Sequence, residues 1–143
     1  MDNYRRTENR ITHRCQYHVV WCSTFRRSVL TEPMCVRIKE LIQAVCDKKD
    51  IKLLDINVTT NIVYIRVDIP PTEAVNTAVR NMKRVTAHVL RDEFPELRSR
   101  LPSLWTLHYL VSTDDVLTQE QIDDWLAIQP RFVAKKKKGK NVV

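Results

Sequence analysis

Glycine occurs once in this chain of 143 residues, at Gly139, inside a lysine run near the C-terminus. Average usage near 7% would supply about ten. Residues 1–138 must therefore make every turn with side chains that carry a Cβ atom. No glycine-rich loop is available to bring backbone amides around a phosphate, which excludes a P-loop and a dinucleotide-binding fingerprint. Asn-Gly and Asp-Gly hairpins and glycine helix caps are excluded as well. The length is that of one ordinary domain, which buries roughly 68–70% of the surface its unfolded form exposes. With 43% hydrophobic and 29% charged residues, the composition is that of a soluble globular protein with a real core.

The net charge of +7 is unevenly placed. Arg131, Lys135, Lys136, Lys137, Lys138 and Lys140 put six positive charges in the last thirteen residues, with no acid among them. Residues 1–30 carry six arginines against Asp2 and Glu8, whereas 114–124 carry five acids and no base. A basic arm and a basic tail point to a polyanion partner; a merely solubilising tail is the plainer reading. Cys15, Cys22, Cys35 and Cys46 form no C-x-x-C pair and no zinc-spaced cluster with histidine, so they read as small buried hydrophobes. Residues 1–10 are polar and charged, unlike a signal peptide, and no apolar run approaches the roughly 18 residues of a membrane span. A cytoplasmic protein with reduced thiols is expected.

Periodicity and turn signals predict a strand over 13–22 and a helix capped by Thr31 that runs to about residue 49. Strands follow over 51–59 and 62–69, joined by a Thr60-Asn61 turn. Pro70-Pro71 stop the third strand, and Thr72 caps a long helix through Glu93. Residues 96–103 read as a connection and 104–113 as a fourth strand. Thr118 and Gln121 form a capping box for a last helix over 118–129, which Pro130 ends. The order β-α-β-β-α-β plus a C-terminal helix predicts an α+β, ferredoxin-like fold with an antiparallel sheet and two helices on one face. Residues 1–130 would form the domain and 131–143 a flexible basic tail.

Three blocks go further than pattern. The run YHVVWCSTFRRSVL (17–30) resembles the first-strand signature of the single-tyrosine HUH transposases of the insertion-sequence 200/605 group. EFPELRSRL (93–101) and LW-x-x-x-Y-x-V-x-T (104–113) are similar to that family's second-helix exit and fourth strand. IDDWLAIQ (122–129) falls where the family has its terminal catalytic helix. The resemblance implies binding of hairpin-forming single-stranded DNA and cleavage by a tyrosine that becomes linked to a 5′ phosphate. It also implies a divalent metal held by two histidines in a His-hydrophobe-His motif.

The chain departs from the family at those positions. The histidine motif aligns with Ile62-Val63-Tyr64, the nucleophile with Trp125, and a third ligand with Gln129. Isoleucine cannot bind a metal, tyrosine is a poor ligand for Mg²⁺ or Mn²⁺, and indole cannot form a phosphate ester. No metal cofactor is expected, and the resemblance implies a transposase-derived protein that has lost strand cleavage. Tyr64 is expected to pack or hydrogen-bond in the emptied pocket, Tyr109 to belong to the core, and His18 to be structural. His13 is expected at the surface, and His88 and His108 have no spaced partner.

Binding is separable from cleavage, because phosphate contacts come from cationic and backbone groups. Arg5, Arg6, Arg10 and Arg14 on the arm are candidates, as are Arg26 and Arg27 after the first strand. On the second helix, Arg80, Arg84 and Arg91 share a face, with Lys83 beside it. Lys135, Lys136, Lys137 and Lys138 would add affinity without sequence choice. The family's edge-to-edge dimers imply a homodimer, and an uncovered sheet edge points the same way. The expected function is binding of hairpin single-stranded DNA or RNA as a regulator or accessory factor of a mobile element. An active but divergent transposase with a relocated site, or a protein-interaction module anchored by Trp125, are the alternatives.

Overall fold

The computed structural model describes residues 3–7 and 10–129. A short ribbon of β1 (Arg5–Arg6) and β2 (Thr12–His13) precedes β3 (Gln16–Cys22). Helix α1 (Glu32–Lys48), the hairpin strands β4 (Lys52–Val58) and β5 (Ile62–Asp68), and helix α2 (Val75–Glu93) follow. A short α3 (Glu96–Arg100), the strand β6 (Leu110–Ser112) and α4 (Gln119–Ala127) complete the order. The main sheet is antiparallel throughout, in the order β4-β5-β3-β6. This is the expected α+β, ferredoxin-like arrangement with a C-terminal helix.

The two central strands pair over seven residues, from Gln16 opposite Asp68 to Cys22 opposite Ile62. Successive strand residues face opposite ways. Val19 and Trp21 of β3 and Val63, Ile65 and Val67 of β5 therefore point together into the main core. Ile38 and Ile42 of α1 and Val79, Met82 and Leu90 of α2 close over them. The other face presents Val20, Cys22, Ile62 and Tyr64, and α4 covers it with Ile122 and Leu126. A sheet covered on both faces explains why β3 reads as an unbroken apolar run in its second half, from Val19 to Cys22. All four cysteines are free; Cys22 and Cys46 are buried, Cys15 and Cys35 partly so. Burial pushes the Cys46 thiol up to about 12.

Without glycine, other residues take the left-handed backbone positions: Asn3, Arg10, Phe25, Arg26 and Asp50. Asp50 (φ 57°) stands one residue past Lys49, the C-cap of α1, where glycine is usual. There the Ile51 amide donates to the Cys46 carbonyl at 3.0 Å, closing the helix. The β4–β5 turn avoids the problem: Thr59 and Ile62 bracket Thr60-Asn61, and neither turn residue has positive φ. The primed turns that require it are not used here.

Several sequence expectations are corrected. Residues 104–113 do not form one strand: Trp105 bridges Ser23, but the ladder resumes only when Leu110 meets Val20. Three steps along β3 thus face five along the edge, leaving two extra residues in a bulge over 106–109. The stretch 96–103 contains a helical turn, α3, rather than only a connection. α2 begins after Ala74, not Thr72, because Glu73 closes a turn back to the Pro70 carbonyl at 2.9 Å. Thr31 does stand at the α1 N-cap, but its side chain makes no cap bond, whereas the Thr118–Gln121 capping box is present. His13 is not a surface residue: only 4% exposed, it lies 3.2 Å from the buried carboxylate of Asp68.

The irregular edge is anchored by Trp105, whose indole N–H donates to Thr86 Oγ1 at 2.9 Å and whose ring meets Trp21 edge-on. Both Thr86 and Trp105 are buried. Thr86→Val keeps the shape but leaves the indole donor unpaired. It is expected to destabilise the fold by about 1–3 kcal/mol in chemical denaturation, with the slope unchanged.

Candidate nucleic-acid interface

Ile62, Tyr64 and Trp125, the positions singled out by the resemblance, meet between the sheet and α4. Ile62 and Tyr64 project from β5, and with Trp125 and Leu117 they pack around buried Val20, Cys22, Ile122 and Leu126. The result is a second small apolar cluster. The Tyr64 hydroxyl lies 2.8 Å from His18 Nδ1, and His18 Nε2 lies 3.3 Å from the Asp115 carbonyl oxygen. A carbonyl can only accept, so Nε2 carries a proton, and in the neutral imidazole Nδ1 accepts from the phenol. The rings stack with centroids 6.0 Å apart. Burial pushes the Tyr64 phenol up from its ordinary value, and the Asp55 carboxylate adds to that, opposed by Arg66. Tyr64 thus hydrogen-bonds in the pocket, to a partner that sequence spacing did not indicate.

These side chains do not suit a divalent metal. Ile62 has no donor atom, the Tyr64 oxygen is engaged by His18, and the Gln129 amide donates to the Trp125 carbonyl at 3.2 Å. Among the described residues no group of three or more His, Cys, Asp or Glu side chains could hold a metal ion. Gln129 is buried at the end of α4, its Oε1 without a partner.

The cations gather elsewhere. A groove of about 1020 Å³ runs between α2, the end of α1 and the bulged edge. Arg80, Lys83, Arg84 and Arg91 line it from α2, joined by Lys48 and Lys49. None of its described lining residues is acidic. Lys83 does more than offer charge. Its amine donates to the Thr106 carbonyl at 2.7 Å and the His108 carbonyl at 3.4 Å, and sits 5.2 Å from the centre of the Tyr109 ring. It fastens the bulge to α2. Burial draws the amine down to about 8, partly offset by the Cys22 thiol. Tyr109 is half-buried against the core and also lines the groove.

The other candidates lie apart from this groove. Arg5 is committed to Asp68, donating to its carbonyl at 2.9 Å and its carboxylate at 3.3 Å, and lies 3.6 Å from the Asp50 carboxylate. It clamps the β1–β2 ribbon to the sheet. Arg6, Arg10 and Arg14 are exposed. Arg26 donates to the Leu126 carbonyl at 2.8 Å, tying the loop after β3 to the last turn of α4. Arg27, in the same loop, is half-buried. Lys135, Lys136, Lys137 and Lys138 lie outside the described residues. Lys48 and Lys49 were missed in sequence; their signal was a basic pair at a helix end, which ordinarily reads as a response to the helix dipole.

Known proteins carry the same architecture. The sequence profile of the family described as transposase IS200 like matches residues 11–129. The chain belongs to this family. Among its relatives, the ISDra2 transposase TnpA of Deinococcus radiodurans is 22% identical over 119 residues, spanning 82% of this chain and 85% of that protein. The transposase for insertion sequence element IS200 of Salmonella typhimurium is 21% identical over 101 residues, 69% of this chain and 66% of that one. A crystal structure of a transposase candidate from Deinococcus radiodurans R1 superposes with a TM-score of 0.79 at 20% identity, covering 90% of this chain and 99% of the other. The REP-associated tyrosine transposase bound to a REP hairpin gives 0.55 at 13% identity, covering 87% and 68%. At such identities the superpositions establish the fold of this transposase homologue.

The Lys83 amine yields a pH prediction. It titrates near 8 when folded and near its ordinary 10.5 when unfolded, so between those values the unfolded chain holds the extra proton. Stability from this group therefore rises with pH across that window. Comparing denaturation midpoints of wild type and Lys83→Met at pH 7 and pH 10 should show the difference shifting in favour of wild type at the higher pH.

Proposed function

We propose that this IS200-like transposase homologue binds hairpin-forming single-stranded nucleic acid and does not cut it. The observation that carries the binding half is the acid-free cationic groove lined by Arg80, Lys83, Arg84, Arg91, Lys48 and Lys49. Such a surface favours a polyanion such as a phosphate chain over a neutral or basic protein. The hairpin held by the REP-associated tyrosine transposase adds a ligand class to which a chain of this fold is suited. The inactive half rests on the side chains under α4: an isoleucine, a tyrosine bonded to histidine, and a tryptophan where the family's histidines and nucleophile align. On this reading no divalent metal takes part. A homodimer joined through a sheet edge belongs to the same proposal, since edge backbone groups left uncovered are a liability.

Hairpin DNA and RNA should bind with an affinity that falls steeply with salt. Changing Arg80, Arg84 and Arg91 together to alanine should lower the log–log salt slope by about 2–3 in magnitude. No binding to any hairpin at low salt would overturn the proposal. Incubation with Mg²⁺ or Mn²⁺ should leave hairpin substrates unnicked and the protein free of nucleotide adducts.

One observation favours a second reading. The phenol of Tyr64 donates to His18 Nδ1, and the Asp115 carbonyl orients that imidazole, which is the arrangement of a nucleophile with a general base. Burial opposes it by holding the phenol protonated. A covalent DNA adduct formed by wild type and absent in Tyr64→Phe would establish this reading in place of the inactive one.

A further inference from the structure

Leu107 is 90% exposed, more than any other large apolar side chain among the described residues. Single exposed apolar side chains are ordinary on protein surfaces. What distinguishes this one is how it is displayed. It stands in the two-residue bulge between the Trp105 bridge and the Leu110 ladder. The carbonyls on either side of it, at Thr106 and His108, are both taken by the Lys83 amine. The Thr106 hydroxyl also donates to the His108 carbonyl at 3.2 Å, and the Thr106 amide donates to Cys22 at 3.1 Å. The backbone around Leu107 is thus held from both sides while its side chain projects. It projects at the rim of the cationic groove, whose lining it shares with Arg80, Arg84 and Arg91.

The groove and the leucine suit different parts of one ligand. From Arg80 to Arg91 the helix rises about 16 Å, the length of a strand carrying about five phosphates in a duplex. Phosphates satisfy the arginines but offer nothing to an apolar side chain. Base faces do, and they are open to contact only where stacking stops or is broken. In a hairpin that happens where the stem ends.

We infer that Leu107 caps the end of a base stack, so that the groove selects the junction between a paired stem and its single strand over an uninterrupted duplex. The inference rests on the reading of the groove as a nucleic-acid site. Arginines set the position along the backbone and Leu107 sets the preference for a stack end.

The test compares wild type with Leu107→Ala on two labelled DNAs: a hairpin with a single-stranded flank, and a continuous duplex closed into a circle so that it has no stack end. Burial of one leucine side chain corresponds to about a tenfold change in affinity. The preference of wild type for the junction substrate should fall by about that factor in the variant. A 2-aminopurine placed at the last paired position should change fluorescence on binding wild type and not on binding Leu107→Ala. Leu107 is almost fully exposed, so the substitution leaves the core untouched. Equal junction preference in both proteins would overturn the inference while leaving the groove assignment standing. Failure of wild type to bind either DNA at low salt would overturn both.

Discussion

The seven-residue antiparallel register between β3 and β5 determines most of what this protein presents. Because strand side chains alternate, a slip of one residue would exchange the two faces of both strands. In the observed register Val19, Trp21, Ile65 and Val67 go to the helices, while His18, Val20, Cys22, Ile62 and Tyr64 go to α4. The same pairing puts the Tyr64 hydroxyl beside His18, two residues along from its direct partner Val20. The apolar cluster under α4 and the phenol–imidazole bond are both consequences of that one alignment.

α4 has few ties to the rest. Two buried side chains, Ile122 and Leu126, seat it on the sheet, and Arg26 takes a carbonyl in its last turn. Arg26 reaches that carbonyl from a loop in which it and Phe25 both have positive φ. Two consecutive left-handed residues with side chains are costly, by roughly 1–2 kcal/mol each. Neighbouring bonds hold the loop in place: Ser23 Oγ donates to the Arg27 carbonyl at 2.6 Å and Asn61 donates to the Arg26 carbonyl at 3.3 Å. With no glycine before residue 139, the chain meets the need for unusual backbone here with over-determined contacts.

Cationic residues serve two purposes that a sequence does not separate. Arg5, Arg26 and Lys83 each satisfy backbone carbonyls, and Arg5 also answers a buried carboxylate. Arg80 and Arg84 remain exposed on α2 beside the groove. In the chain all of these are basic residues at reasonable positions for phosphate. Their difference comes from partners distant in sequence: Asp68 for Arg5, Leu126 for Arg26, and Thr106 and His108 for Lys83. The burial of His13 against Asp68 was hidden for the same reason.

By itself the sequence determined the order of the main strands and helices, the near-alternation of β5 and the capping box at Thr118, because these depend on local periodicity and short-range bonds. The residues under α4 were located by the resemblance of short blocks to the family, and not by spacing within this chain. The arginine face of α2 was legible too, from spacings of four and seven residues. Tertiary structure alone decided the bulge between Trp105 and Leu110, the tie of Lys83 to it and the exposure of Leu107. An edge strand with β-branched and aromatic residues looks continuous in sequence. Whether it stays in register depends on what its neighbours, here Ser23, Thr86 and Lys83, hold in place across the fold.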